Sequence, residues 1–199
     1  MTPDALLAFE EEIAQTFAQG EIQAPIHLSM GNEDQLIEIF KSIQADDWVL
    51  CGWRSHYHCL LKGVSPDKLK AAILDGRSVG LCFPENKILC SGIVGGIAPI
   101  AVGLAWALKR KNDDNPLGHE TRVHCFLGDM SAETGIVHEA MKYAAGQGLP
   151  IHWVVEDNGK SVCTDTQKSW GDKFKAHDLE RYYYTLGRPH AGIGQWVRF

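Results

Sequence analysis

The chain has 199 residues, 45% of them hydrophobic, and a formal net charge of −6. That is enough material for one globular domain over residues 1–199 with its own core. It carries no run of Lys and Arg, which argues against a nucleic-acid surface. Asp4, Glu10, Glu11 and Glu12 near the start speak against a signal peptide. The longest apolar stretch, Ile97 to Leu108, is too short to span a bilayer. A soluble cytoplasmic protein is therefore expected.

Thr2-Pro3-Asp4 reads as a helix start, with Pro at the first helical position. Leu6, Leu7, Phe9, Ile13 and Phe17 then mark one helical face. A loop over 20–30 holds Pro25 and His27, and a second helix is predicted over 32–43. Trp48 to Cys51 reads as a short buried strand, and Ser65-Pro66-Asp67 opens a helix that Gly76 closes. Leu81 to Leu89 looks irregular. After Gly92 to Gly96 comes a helix over 98–109 that is apolar on nearly every side, as a central helix would be. Residues 112–118 look like a surface loop. Val123 to Leu127 is a predicted strand, 133–145 a helix, Ile151 to Val155 a strand, and Arg181 to Leu186 a last strand before a loop-like tail. Strands alternating with helices make the class α/β, a parallel sheet flanked by helices.

The six cysteines (51, 59, 82, 90, 125 and 163) form no CxxC pair, so a zinc cage is not expected. Several sit in apolar runs, which favours buried free thiols over disulfides. His56-x-His58 alone is a weak metal signal, and His119, His124, His138 and His152 have no evident partners in the sequence. The glycines at 92–96 lack the spacing and the following acid of a nicotinamide fingerprint.

The chemistry concentrates at two strand ends. Gly128-Asp129 closes one predicted strand and Asn158-Gly159 the next, with one helix between. A right-handed strand–helix–strand unit sends both loops to the same sheet edge, where α/β folds bind ligands. A carboxylate, an amide oxygen and the backbone carbonyl of Lys160 would suit Mg²⁺, with a diphosphate completing the shell. The amides of a helix starting near Ala132 would favour the anion. Taken singly, an Asp after a strand is more often a helix cap and Asn-Gly a plain turn.

Asp129 followed 29 positions later by Asn158 resembles the thiamine diphosphate signature GDG…NN. The stretch CFLGDMSAETGIVHEAMKYAAGQGLPIHWVVEDNG is similar to that of alpha subunits of the decarboxylating component of 2-oxoacid dehydrogenases. GEIQAPIHLSMGNED, GWRSHYHCLLKG and SGIVGGIAPIAVGLAWALK resemble further motifs of that family, in family order. The resemblance implies a diphosphate-binding fold holding thiamine diphosphate and Mg²⁺. Asp129, Asn158 and the Lys160 carbonyl would hold the metal. The backbones of Met130 and Ser131 would meet the diphosphate, and Arg54 would donate to it. Trp53 stands where the family has Tyr. Gly92 and Val94 would hold the middle of the cofactor, with Val94 as the wedge that keeps it bent. His27, His56 and His190 match active-site histidines, His190 in a shortened version of the family's histidine-bearing loop.

Two departures stand out. GDG has become Gly128-Asp129-Met130, and NN has become Asp157-Asn158. The resemblance also implies a beta-type subunit with a pyrimidine-binding domain and an activating glutamate, in an α₂β₂ assembly. The implied reaction is cleavage next to a carbonyl, as decarboxylation of a 2-oxo acid with acyl transfer. EDNGKSV is also similar to transketolases, so ketol transfer is a second reading. A non-catalytic scaffold subunit that kept only the fold is a third.

Overall fold

The computed structural model describes residues 1–114, 120–162, 164–171 and 179–190. His119, Cys163 and the tail past residue 190 lie outside them, as does most of the expected 112–118 loop. Helix α1 (Pro3–Ala18) opens on Thr2, whose hydroxyl accepts from the Ala5 amide at 3.3 Å. Pro3 costs nothing there, because the first helical amide has no partner within the helix. Leu6, Phe9, Ile13 and Phe17 fall on its buried face. Helix α2 (Glu33–Phe40), strand β1 (Trp48–Cys51) and helices α3 (His56–Leu61) and α4 (Pro66–Leu74) follow, the last capped by Ser65.

Strands β2 (Cys82–Phe83) and β3 (Ile88–Cys90) precede α5 (Ile97–Asp113) and β4 (Val123–Gly128). A single turn, α6 (Asp129–Ala132), leads into α7 (Gly135–Gly146) and β5 (Ile151–Asp157). A small hairpin of β6 (Lys160–Ser161) and β7 (Thr164–Asp165), helix α8 (Thr166–Trp170) and strand β8 (Glu180–Tyr183) complete the described elements. The main sheet has the order β2-β3-β1-β4-β5-β8, and only β2 runs antiparallel.

Side chains alternate between the two faces, as the strand period of two requires. Val49, Cys51, Ile88, Cys90, Phe126 and Val154 join the core beneath α1 to α4. Leu50, Val123, Cys125, Leu127, Trp153 and Val155 join the core beneath α5 and α7. Each fully buried aliphatic chain contributes roughly 1.5–3 kcal/mol before entropy is counted. No helix among the described residues is long and apolar enough to cross a membrane.

The structure corrects five expectations. The stretch 81–89 holds β2 and most of β3, because Phe83 and Ile88 are buried partners across a tight turn at Pro84–Asn86. Helix α5 is not apolar-buried all round: Ala98, Ala101, Ala105 and Leu108 are covered, whereas Ile100 is 45% exposed. Its residues Asn112 and Asp113 belong to the helix rather than to a loop. The long helix after β4 begins at Gly135, so its N-terminal amides are not at Asp129. The last strand stops at Tyr183.

At the N-terminal edge of the sheet the histidines do find partners. His124 Nδ1 lies 3.0 Å from His152 Nδ1, and His124 Nε2 lies 3.3 Å from Asp47 Oδ2. His152 Nε2 is 2.9 Å from Glu180 Oε2, so the chain of contacts ties β1, β4, β5 and β8 together. Burial, His152 and Lys62 outweigh the help of Asp47 and hold the His124 pKa at about 4, down from 6.5. The unfolded chain therefore binds the extra proton between these values, and stability falls as pH drops from about 6.5 towards 4. At about 1.4 kcal/mol per unit, the span is worth roughly 3 kcal/mol. Chemical denaturation across that range should show this slope, and His124→Gln should flatten it.

Candidate functional site

Parallel strands β1, β4 and β5 end side by side, and the loops leaving them enclose a cavity of about 530 Å³. Gly52, Trp53 and Arg54 line it from β1, Gly128 to Ser131 from β4, and Glu156, Asn158 and Lys160 from β5. The segment after β8, from Tyr184 to Leu186 and Arg188 to His190, forms a further wall. That wall leans on the loop before α2. Gly187 donates to the Met30 carbonyl at 2.9 Å, and a Cβ on Gly31 (φ +101) would sit 2.3 Å from the Thr185 oxygen. Only glycine serves at position 31, for both its φ and its contact.

Asp129 is 2% exposed and accepts a hydrogen bond from Thr166 Oγ1. Burial raises its carboxyl pKa and Asp157 adds to this, against the pull of Thr166. Asn158 Oδ1 accepts from the Lys160 amide at 3.0 Å, and its Nδ2 donates to Tyr184 Oη at 3.1 Å. That fixes which way the amide faces, and a carbonyl oxygen keeps a second lone pair for another partner. Met130 has no positive φ, so the missing glycine of GDG is not required by the backbone here. Asp157 accepts from Gly159 N at 2.9 Å and from Arg181 Nη1 at 2.6 Å, which commits it to the loop. Among the described residues, no three His, Cys, Asp or Glu side chains converge as a metal site. The set Asp129, Asn158 and the Lys160 carbonyl contains only one of those types.

Arg54 Nε donates to the Leu28 carbonyl at 3.0 Å, which anchors the side chain by one edge. His27 does not line the cavity. Its ring packs 4.7 Å from that of His190 and 5.7 Å from that of Trp53, which both do. Burial, then the charge of Arg54, lower the His27 pKa to about 3, so the ring is neutral at pH 7. His190 is shifted down for the same two reasons. The Nδ1 atoms of both rings are buried without a hydrogen-bond partner.

The other expected residues stand apart. His56 is fully buried, with Nε2 2.9 Å from Ser78 Oγ and Nδ1 3.2 Å from Glu10 Oε1. It lies on α3, whereas the alternation of His56 and His58 reads as strand or loop. Gly92 and Val94 do not line the cavity, and Val94 is 50% exposed. Their loop packs against the start of α7, where a Cβ on Gly95 would come within 2.8 Å of Ile136.

Glu156 is the residue missed from the sequence. It lines the cavity, with Tyr182 Oη donating to Oε1 at 2.5 Å and His58 Nε2 lying 3.4 Å from the same oxygen. Burial opposes its charge, but His58 and Tyr182 hold its pKa below the usual value. The available signal was an acid two positions after buried Val154, on the same face of the strand.

The family model for the dehydrogenase E1 component matches residues 1–176. The chain belongs to that family. The alpha subunit of the pyruvate dehydrogenase E1 component from Rickettsia bellii is 32% identical over 82% of this chain and 52% of its own length. The corresponding subunit from Zymomonas mobilis is 34% identical, over 81% of this chain and 47% of its own. The alpha subunit of acetoin:2,6-dichlorophenolindophenol oxidoreductase from Bacillus subtilis is 30% identical, over 78% and 48%. The chain thus spans about half the length of the curated relatives it matches. None of these three relatives favours ketol transfer or a scaffold role.

The position of His56 generates a test. His56→Leu would leave Ser78 Oγ and the Glu10 carboxylate buried without their imidazole neighbour, at a cost of about 1–3 kcal/mol. Urea denaturation should show a lower midpoint with an unchanged slope. A variant with the wild-type midpoint would contradict this structural assignment.

Proposed function

We propose that this chain is the diphosphate-binding, alpha-type part of a two-subunit thiamine diphosphate enzyme. It cleaves the bond next to a carbonyl, as in decarboxylation of a 2-oxo acid with transfer of the remaining fragment. The observation that carries this reading is the convergence of Asp129, Asn158 and Arg54 on one cavity at the ends of neighbouring parallel strands. The names of the alpha-subunit relatives support the same reaction class.

The residues fit the ligand. Asp129 is a buried carboxylate whose charge burial disfavours, the condition that a bound cation relieves. With Asn158 Oδ1 and the Lys160 carbonyl it offers Mg²⁺ the hard oxygen donors that this ion takes. The Met130 and Ser131 backbones and the Arg54 guanidinium would hold the diphosphate, a planar fork suiting phosphate oxygens. Bound there, thiamine diphosphate supplies the carbon nucleophile. His190, disfavoured as a cation, would act as a neutral donor or acceptor at the substrate end, with neutral His27 packed against it to position the ring. Trp53 would close that end by packing.

A beta-type subunit supplying the pyrimidine-binding domain and its glutamate belongs to this reading, as does an α₂β₂ assembly. The exposed apolar residues Ile93 (74%), Val94 (50%), Ile100 (45%) and Ile136 (44%) around Gly95 support a partner that covers them. Val94 would then meet the cofactor from that interface. A cytoplasmic location and a single domain over 1–199 complete the proposal.

Calorimetry of the chain copurified with a beta-type subunit tests it. Mg²⁺-dependent binding of thiamine diphosphate is expected, and no binding would favour a scaffold role. Asp129→Ala should abolish the Mg²⁺ dependence while the circular dichroism spectrum stays unchanged. Unaltered affinity would remove Asp129 from the metal site. Arg54→Lys should weaken binding by about 1.5–3 kcal/mol, or roughly ten- to a hundredfold.

A further inference from the structure

Beneath the Arg54 loop lies a group of thiols that the cofactor chemistry does not use. Cys51 ends β1 and Cys90 ends β3, and the two are in-register neighbours on parallel strands. Their sulfurs are 3.4 Å apart on the same buried face. Cys59, on α3, and Ser55 are close enough to influence the Cys90 sulfur, and Ser55 Oγ is buried with no hydrogen-bond partner. Strand spacing of about 4.8 Å sets the Cα separation, which falls within the range that a disulfide bridges.

We infer that Cys51 and Cys90 form a reversible, peroxide-driven disulfide beneath the Arg54 loop. Cys90 is the suited nucleophile of the three, since it alone keeps some exposure (5%, against none for Cys51 and Cys59). Burial raises its pKa, but Cys51, Cys59 and Ser55 stabilise its thiolate, with His58 nearby, and the balance falls below the usual thiol value. Burial and the neighbouring Cys90 push Cys51 and Cys59 the other way. The thiolate is the reactive form. Cys90 gives up its proton and attacks one oxygen of hydrogen peroxide. The O–O bond breaks, leaving a sulfenic acid and one water. Cys51 then attacks that sulfur, the S–O bond breaks, and a second water leaves with the Cys51 proton. Two thiols lose two electrons and peroxide takes them up.

The bond has a mechanical consequence. The sulfurs must close from 3.4 Å to about 2.05 Å. Gly52, Trp53 and Arg54 follow Cys51 directly, and Ser91 to Val94 follow Cys90. Turning the two side chains into the bond would disturb packing at the ends of β1 and β3, where the Arg54 loop begins, so oxidation should lower diphosphate affinity. This last step rests on the proposed function, whereas the disulfide does not.

Peptide mapping of the whole chain separates the two. The native protein is treated with peroxide until exposed Cys82 is fully oxidised, then denatured and alkylated. The expected result is a linked pair of Cys51 and Cys90 peptides, lighter by two hydrogens and released by dithiothreitol. In Cys90→Ala, Cys51 and Cys59 should stay alkylatable. The inference is overturned if Cys51 and Cys90 remain fully alkylatable at that dose. It is equally overturned by a Cys59–Cys90 link in place of the expected one, or by a Cys51–Cys59 link in the variant. If the expected link forms and cofactor affinity is unchanged, the disulfide stands and its coupling to the cavity is refuted.

Discussion

Parallel pairing of β4 with β5 governs everything at the cavity. Six residue pairs hold the register, from Val123 opposite Ile151 to Gly128 opposite Glu156. Both strands are buried on both faces, so a slip by one residue would turn every core side chain to the wrong layer. The apolar cores therefore fix where the two strands stop. Asp129 is the first residue after β4, and Asn158 the first after β5. Their convergence on one cavity follows from packing some distance below it, and the chemistry needs no device of its own to bring them together.

A second layer of polar contacts carries the helical half into the same place. Glu10 of α1 accepts from the Ser29 amide at 2.6 Å, and Glu33 of α2 accepts from the Gly31 amide. Tyr57 of α3 donates to Glu33 at 2.9 Å. Asn32 Nδ2 donates to Tyr182 Oη at 3.1 Å, behind Glu156. Leu28, whose carbonyl holds Arg54, lies within this clamped stretch. Buried carboxylates are costly when unpaired, so the loop over 27–31 is tied at several points. The same loop supports the wall from Tyr184 to His190 through Gly31 and Met30. Helices remote from the ligand thus set the position of two of the cavity walls.

The parts of this arrangement legible in the sequence are those set by local chemistry. Thr2-Pro3 and Ser65-Pro66 announce helix starts because capping and the proline constraint act within a few residues. The buried strands β1, β4 and β5 show as short apolar runs between turn residues. The parallel sheet and the placing of Asp129 with Asn158 follow from the handedness of one strand–helix–strand unit. What escaped is set by tertiary contact. The short strand β3 becomes visible only beside β1, since three residues carry no period. The burial of His56 depends on Glu10 and Ser78, which are distant in sequence. The role of Glu156 depends on Tyr182 and His58. Helix α5 is apolar enough to look central, yet one side faces outward, because sequence alone does not distinguish a core face from an exposed apolar one.

Electrostatics then decide what the cavity tolerates. Asp129 and Glu156 both line it, against Arg54, Arg188 and Lys160. Arg188 is partly engaged by Glu11. Two like charges at about 4 Å repel by about 4 kcal/mol at the effective dielectric near a protein surface. On the proposed reading, a diphosphate beside Asp129 would meet that repulsion, offset among the described residues by Arg54, Lys160 and the partly engaged Arg188. A divalent cation between carboxylate and phosphate reverses the sign, so cation and cofactor each make room for the other. The same reasoning explains why an acid is tolerable at such a buried position. Burial disfavours its charge, and on the proposed reading a bound cation would favour the charged form. On that reading Asp129 is a carboxylate whose charge its ligand would stabilise.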